Sequence, residues 1–205
     1  MKVKVKDKDF IYVIFIIIIV SFLGFVLENI TKLLSGGYAD NRYLILPFIL
    51  PYGLAILVMY IFFGKTNSIR IFNKKIFKNE NKINIILSNI LYFLTASFIT
   101  FVGELIVGNL FDFLVGVELW DYSNHKLHFT KYTCLEFNLA FGAIIYLFMK
   151  FLFYPLLIFL KKHIHVKLAL KIDYILGSLI VLDTLIMIIY TLVNKEPFIW
   201  WKFKI

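Results

Sequence analysis

The apolar positions of this chain are not interleaved with polar ones at a helical or strand period; they run together. Five apolar segments stand out: about Phe10 to Leu34, about Tyr43 to Phe63, about Ile83 to Val115, about Tyr132 to Leu160 and about Ile172 to Val193. Each reaches the roughly 20 residues a helix needs to cross the hydrocarbon of a bilayer. The third and fourth exceed it, which predicts tilt, a kink or extension past the interface. The fourth carries Lys150 and Pro155, so a break or a surface-lying segment is expected at its far end. Backbone in lipid must satisfy its own hydrogen bonds, and a barrel would show short alternating segments. Helices are therefore expected and strands are not. The first segment has the basic flank of a signal peptide (Lys2, Lys4, Lys6, Lys8), but its apolar run is long and no small-x-small cleavage site follows, so it reads as a retained helix. No repeat or low-complexity tract divides residues 1–205, and the chain reads as a single integral membrane domain.

Composition agrees with this pattern. Of 205 residues 61% are hydrophobic and only 17% charged, with a mean hydropathy of +0.85; a soluble domain has roughly 25% charged residues. The net charge of +9 would raise nucleic acid as a partner in a soluble protein. Here no nucleic-acid-binding motif accompanies it, and anionic membrane lipid is the expected partner.

The placement of the charge fixes an orientation. Four lysines precede the first segment. Six basic residues (Lys65, Arg70, Lys74, Lys75, Lys78, Lys82) join the second to the third, and four (Lys161, Lys162, Lys167, Lys171) join the fourth to the fifth. The alternate connections hold few, Arg42 in one and Lys126 and Lys131 in the other. Basic loops are retained in the cytoplasm. The expectation is an all-α, polytopic membrane helical bundle of about five transmembrane helices in the cell membrane. Its N-terminus is cytoplasmic and its tail from Asn194 outside, with Trp200 and Trp201 in the interfacial belt.

Ionisable groups inside hydrocarbon cost several kcal/mol and mark candidate sites. Glu28 lies about 18 residues into the first helix, or roughly 27 Å, near the outer face. Glu104, Asp112 and Glu136 fall at the same level. Arg42 offers a partner for Glu28 or for an anionic ligand held bidentately. Glu104, Gly108 and Asp112 share one helix face through their i, i+4, i+8 spacing. Gly108 and Gly103 would admit a close neighbour, so this face is a substrate groove or a packing seam. Asp183 lies about 11 residues into the fifth helix, roughly 16 Å deep and near the midplane. There it relays protons, binds a cation, or bonds to a Ser, Thr or Tyr of a neighbour. Lys150 is expected to snorkel to the cytoplasmic interface.

The stretch Glu118-Leu119-Trp120-Asp121-Tyr122-Ser123-Asn124-His125 suits an interfacial Asx-type turn or the lip of a binding site. The spacing of His125 and His128 makes no metal site by itself, and His163 and His165 read as solvated loop residues. The lone Cys134 excludes an internal disulfide and a Cys-based metal site. No metal and no cofactor is expected. No P-loop is present, and no H-E-x-x-H or G-x-S-x-G motif.

Two stretches carry a resemblance. One is Ser21-Phe22-Leu23-Gly24-Phe25-Val26-Leu27-Glu28, followed by Asn41-Arg42 and by Pro47 through Tyr52-Gly53. The other is Glu104 to Gly108, Asp112, then Leu119-Trp120-Asp121-Tyr122-Ser123, then Cys134 and Gly142. Together they resemble the ABC-transporter type IV family, the CmpB-like permeases, which transmembrane protein 229 also resembles. The likeness covers roughly residues 10 to 150. Departures are Phe25 for a common Trp, Tyr43-Leu44 for a Gly-Phe pair after Asn-Arg, Leu50 for a proline, and Asp112 for a common Glu.

The resemblance implies a permease-like transport component of unknown substrate that lacks its own ATPase and works with a separate ATPase subunit or as a homo-oligomer. Two other readings of the same residues stay open: a membrane-embedded enzyme acting on a lipid or amphipathic substrate at the outer leaflet, and a non-catalytic assembly or sensor protein. The candidate polar cluster under all three is Glu28, Asn41, Arg42, Glu104, Asp112, Trp120, Asp121, Tyr122 and Glu136, with Asp183 apart.

Overall fold

A computed structural model describes residues 7–72, 74–79 and 81–204. Lys2, Lys4 and Lys6 of the basic N-terminal flank lie outside the described residues. Among the described residues five helices form the fold: α1 (Asp7–Gly36), α2 (Leu50–Phe63), α3 (Lys82–Val115), α4 (Leu135–His163) and α5 (Val166–Asn194). All but α2 are long and apolar enough to cross a membrane, and the fold is an all-α membrane helical bundle.

The second apolar segment differs most from expectation. Its helix starts at Leu50, not near Tyr43, and is too short to rank with the other four. Pro47 and Pro51 are the cause. The residue before a proline is pushed out of the helical region, and Pro51 is tolerated only because it sits in the first turn of α2. Residues 41–49 therefore form irregular chain beside α1 and α5.

The helix α4 runs through Pro155 without a break. A π-helical turn at Phe148–Leu152 directly precedes the proline. Pro155 has no N–H and its ring crowds the preceding turn, and the wider turn absorbs both defects. A second π turn, Met59–Phe63, ends α2.

The core is built around α1. Tyr12, Val13, Ile16, Ile17 and Val20 are buried against Ile56 and Met59 of α2, Tyr92 and Ala96 of α3, and Ile145, Met149, Phe153, Leu157 and Leu160 of α4. Small residues set the closest approaches. A side chain on Gly142 would come within 2.7 Å of the Ser97 backbone nitrogen, so α3 and α4 meet there nearly backbone to backbone. In the same way, Gly53 of α2 faces Ile17 and Ser21 of α1. A side chain on Gly103 would meet nothing within 4 Å, and one on Gly108 would meet the Tyr132 ring, not a helix backbone. Ile83, Ile86, Ile90, Leu94 and Phe98 leave an apolar stripe of α3 exposed, and Leu182, Leu185, Ile186, Ile189 and Val193 do so on α5. These stripes suit lipid.

Successive helices alternate in direction, which gathers the loops at two ends. At the basic end, Lys161 pairs with Asp9, and the Tyr12 hydroxyl donates to the Ile164 carbonyl at 2.9 Å. A small antiparallel sheet also lies there: β2 (Gly64–Lys65), β3 (Ser68–Ile71) and β4 (Lys74–Lys75). Ile69 of β3 is buried, and Ser88 of α3 accepts its N–H at 2.7 Å. At the opposite, acidic end, β1 (Tyr38–Asp40) pairs with β7 (Lys202–Lys204), and β5 (His128–Thr130) pairs with β6 (Thr133–Cys134). The tail thus returns to the bundle, with Trp201 edge-on to Phe25 at 6.3 Å. These short strands were not expected. They occur in the loops, where main chain outside a helix still needs partners.

Candidate functional site

The acidic end brings together residues from α1, the 38–43 loop, α2, α3 and the 118–122 loop. Glu28, on the last third of α1, is the hub. One carboxylate oxygen meets an Arg42 guanidinium nitrogen at 2.9 Å, and the other accepts the Tyr52 hydroxyl at 2.6 Å. Both charged side chains are mostly buried, at 14% exposed for Arg42 and 24% for Glu28. Their mutual attraction is screened less than that of a surface pair, and the desolvation of both groups offsets part of that gain. Of the two partners expected for Arg42, the structure supplies the carboxylate.

Arg42 is held from below by Asp40. The Asp40 carboxylate accepts the Arg42 backbone N–H at 3.0 Å, lies 3.7 Å from its guanidinium, and pairs with Lys32 one turn after Glu28 on α1. Arg42 and Tyr43 both adopt left-handed backbone angles, with φ of 52° and 67°. Two consecutive non-glycine residues in this region are strained. The Tyr43 hydroxyl donates to the Leu119 carbonyl at 3.2 Å, which ties the 38–43 loop to the 118–122 loop. Burial pushes the Tyr43 phenol up from its ordinary value, so it stays a donor.

Glu104 of α3 forms the second half. It accepts the Tyr122 hydroxyl at 3.2 Å. Tyr122 lies in the fields of both Glu104 and Glu28; burial and then these carboxylates push its phenol up. Its ring stacks on Phe137 at 4.9 Å. The neighbouring Trp120 donates its indole N–H to the Tyr132 carbonyl at 2.8 Å. Asp121 accepts from the Ser123 hydroxyl and backbone N–H at 2.6 and 2.7 Å, making the Asx turn, and these bonds hold its carboxyl below the usual range.

A cavity of ≈ 440 Å³ opens between these loops. Lys32, Arg42, Asp121 and the rings of Tyr38, Tyr43, Trp120 and Tyr122 line it. Both cations pack near rings, Lys32 at 4.9 Å from the Tyr38 centroid and Arg42 at 5.8 Å from that of Tyr43. The wall is thus aromatic with charges of both signs, and the Glu28–Tyr52 pair lies behind Arg42.

The other predicted residues lie apart from this cavity. Asn41 is buried and structural; its amide donates to the Leu44 and Phe198 carbonyls. Asp112 pairs with Lys131 at 2.8 Å, which also bonds Glu118 at 2.7 Å, and the two carboxylates hold the Lys131 ammonium well above its ordinary pKa. Asp112 and Glu104 therefore serve different partners despite their shared spacing. Glu136 is exposed beside His125.

Asp183 is buried, 5% exposed, and accepts the backbone N–H groups of Ile45 and Leu46 at 2.8 and 2.7 Å. The partner is main chain, not the Ser, Thr or Tyr side chain weighed from sequence. Because α5 begins at Val166, six residues earlier than expected, Asp183 sits nearer the acidic end than the expected count from Ile172 placed it. Non-helical backbone at membrane depth must be satisfied by protein, and Asp183 does this for the irregular 41–49 chain. Lys32, Tyr38, Asp40 and Tyr43 were not among the residues marked from sequence. Lys32 carried a signal, being one turn from Glu28 on the same face.

Neither a curated protein nor a solved structure matches the chain. The family model described as Putative ABC-transporter type IV matches residues 14–188, extending the likeness beyond residue 150 into α5 and across Asp183. The match covers most of the chain, and the chain belongs to that ABC-transporter type IV family.

Proposed function

We propose that this chain is the multi-pass, permease-like component of a transporter in the cell membrane. Its basic end faces the cytoplasm and its cavity opens to the outside. A separate ATPase subunit supplies the energy, since the sequence has no P-loop. The observation that carries this reading is the cavity between the end of α1 with the 38–43 loop and the 119–122 loop, where Arg42 and Tyr122 of its wall are each tied to a half-buried carboxylate behind it (Glu28 and Glu104). Sites at the junction of two packed units are where relative motion opens and closes a path. The family membership supports the transport reading, and the Lys/Arg distribution supports the orientation.

The sheet at the basic end is the platform suited to an ATPase. Buried Ile69 and the Ser88 bond fix it to α3, while it presents Lys65 and Lys74 outward. The test is co-purification of the full chain in mild detergent with ATP hydrolysis as readout. The proposal predicts an ATPase subunit that co-elutes with the chain and is lost from a Lys65→Glu/Lys74→Glu variant that remains folded. Elution of the chain without any ATP-hydrolysing partner would count against it.

A further inference from the structure

The geometry points to a divalent-cation site of the zinc class at the start of α4, built from Cys134, His125 and Glu136. One ligand atom from each lies within 4.8 Å of the others, and the His125 Nδ1 to Glu136 Oε2 distance is 3.9 Å. The site is separate from the cavity, which none of the three lines.

The backbone that carries these residues is tied down. Cys134 is wholly buried, ends β6 and precedes the first residue of α4. Glu136 occupies the first turn of the helix. His125 is placed by its N–H to the Tyr122 carbonyl at 2.9 Å and by the Leu135 N–H to the Leu127 carbonyl at 3.0 Å, which closes the loop over the helix start. Its ring stands edge-on to Phe137 at 4.9 Å. The buried thiol is therefore the fixed corner, and the two half-exposed side chains are free to adjust.

Zinc takes thiolate, imidazole and carboxylate at about 2.0–2.3 Å, with neighbouring donors about 3.3–3.8 Å apart in a tetrahedron. The present spacing reaches that by small rotations of His125 and Glu136. A set of one sulfur, one nitrogen and one oxygen suits zinc over the hard cations magnesium and calcium. Three protein ligands leave a fourth position for water or another ligand. Binding releases the thiol proton to solvent as the metal–sulfur bond forms. A single cysteine argued against a metal site only on the assumption of several thiolates; the mixed set is hidden in sequence because His125 lies on a separate loop.

The test uses the detergent-purified full chain, stripped with a chelator and titrated with Co²⁺. One equivalent should give the near-ultraviolet thiolate-to-cobalt charge-transfer band, and Zn²⁺ should bleach it. Cys134→Ser should abolish the band. His125→Ala and Glu136→Gln, each checked for wild-type thermal unfolding in detergent, should each weaken Co²⁺ binding by at least about tenfold. A folded wild-type chain without the band overturns the site, as does a band that survives Cys134→Ser. Wild-type affinity in both His125→Ala and Glu136→Gln overturns it too.

Discussion

The Asp183 carboxylate holds Leu46 by its backbone N–H at 2.7 Å across 137 residues of sequence, and Ile45 by its other oxygen. This one side chain lets the chain between α1 and α2 leave the helical path inside the bundle. Asp183→Asn keeps one acceptor and turns an N–H₂ toward an amide N–H. It should cost about 1–3 kcal/mol, the usual cost of leaving a buried amide unpaired, and Asp183→Ala should cost more. Thermal unfolding in detergent checks this. A proton-relay role would instead leave Asp183→Asn as stable as wild type.

Arg42 and Glu28 should be coupled. Removing Arg42 leaves the mostly buried Glu28 carboxylate without a cation, and removing Glu28 leaves Arg42 only the more distant Asp40, so each of Arg42→Met and Glu28→Gln should destabilise by about 2 kcal/mol, and the double variant by less than the sum. A double-mutant cycle reads the coupling. Tyr52→Phe removes a hydrogen bond to a charged acceptor and should cost about 1.5–3 kcal/mol.

Tyr43 offers a sharper test of backbone strain. At a φ of 67° glycine is relaxed and alanine is not. Tyr43→Gly should therefore be more stable than Tyr43→Ala by about 1 kcal/mol, although glycine is the more flexible residue when unfolded. The reverse order would mean that the loop does not hold this conformation.

Gly142 and Gly103 look alike in the sequence, each inside a long apolar helix. Gly142→Ala has no room against the Ser97 backbone and should cost about 2 kcal/mol or more. Gly103→Ala meets nothing within 4 Å and should stabilise by roughly 0.5–1 kcal/mol through helix propensity.

Acid should loosen the 119–123 turn. The Asp121 carboxyl is held below its ordinary value of 3.8, first by the Ser123 hydroxyl and then by its backbone N–H. A depressed folded pKa gives stability that is present above the unfolded value and lost as pH falls below it. Trp120 fluorescence should therefore shift below about pH 4, and Asp121→Asn should already show part of that shift at neutral pH.

The helices were legible because lipid-spanning segments announce themselves by apolar length alone. The alternation of basic and basic-poor connections foretold which loops share an end: the Lys65–Lys75 sheet and the Lys161–Asp9 pair lie at one end of the bundle. Glu28 and Arg42 could be paired from depth counting. What stayed hidden depended on contacts between distant segments. The 41–49 chain is as apolar as a helix, and only Pro47, Pro51 and Asp183 together reveal that it is not one. The pairing of β1 with β7 joins residues too far apart for any local pattern to report. Glu104 and Asp112 share a face by spacing, yet the loop after α3 gives one to Tyr122 and the other to Lys131.

In the proposed orientation the cavity at the acidic end opens outside the cell, opposite the basic platform. Labelling of intact cells with a membrane-impermeant maleimide tests it, with Cys134→Ser as background. Ser35 lines the cavity and Asn67 lies in the turn between β2 and β3; both are exposed. Ser35→Cys should be labelled in intact cells, and Asn67→Cys only after the membrane is permeabilised. Labelling of Asn67→Cys in intact cells, with Ser35→Cys protected, would contradict that orientation.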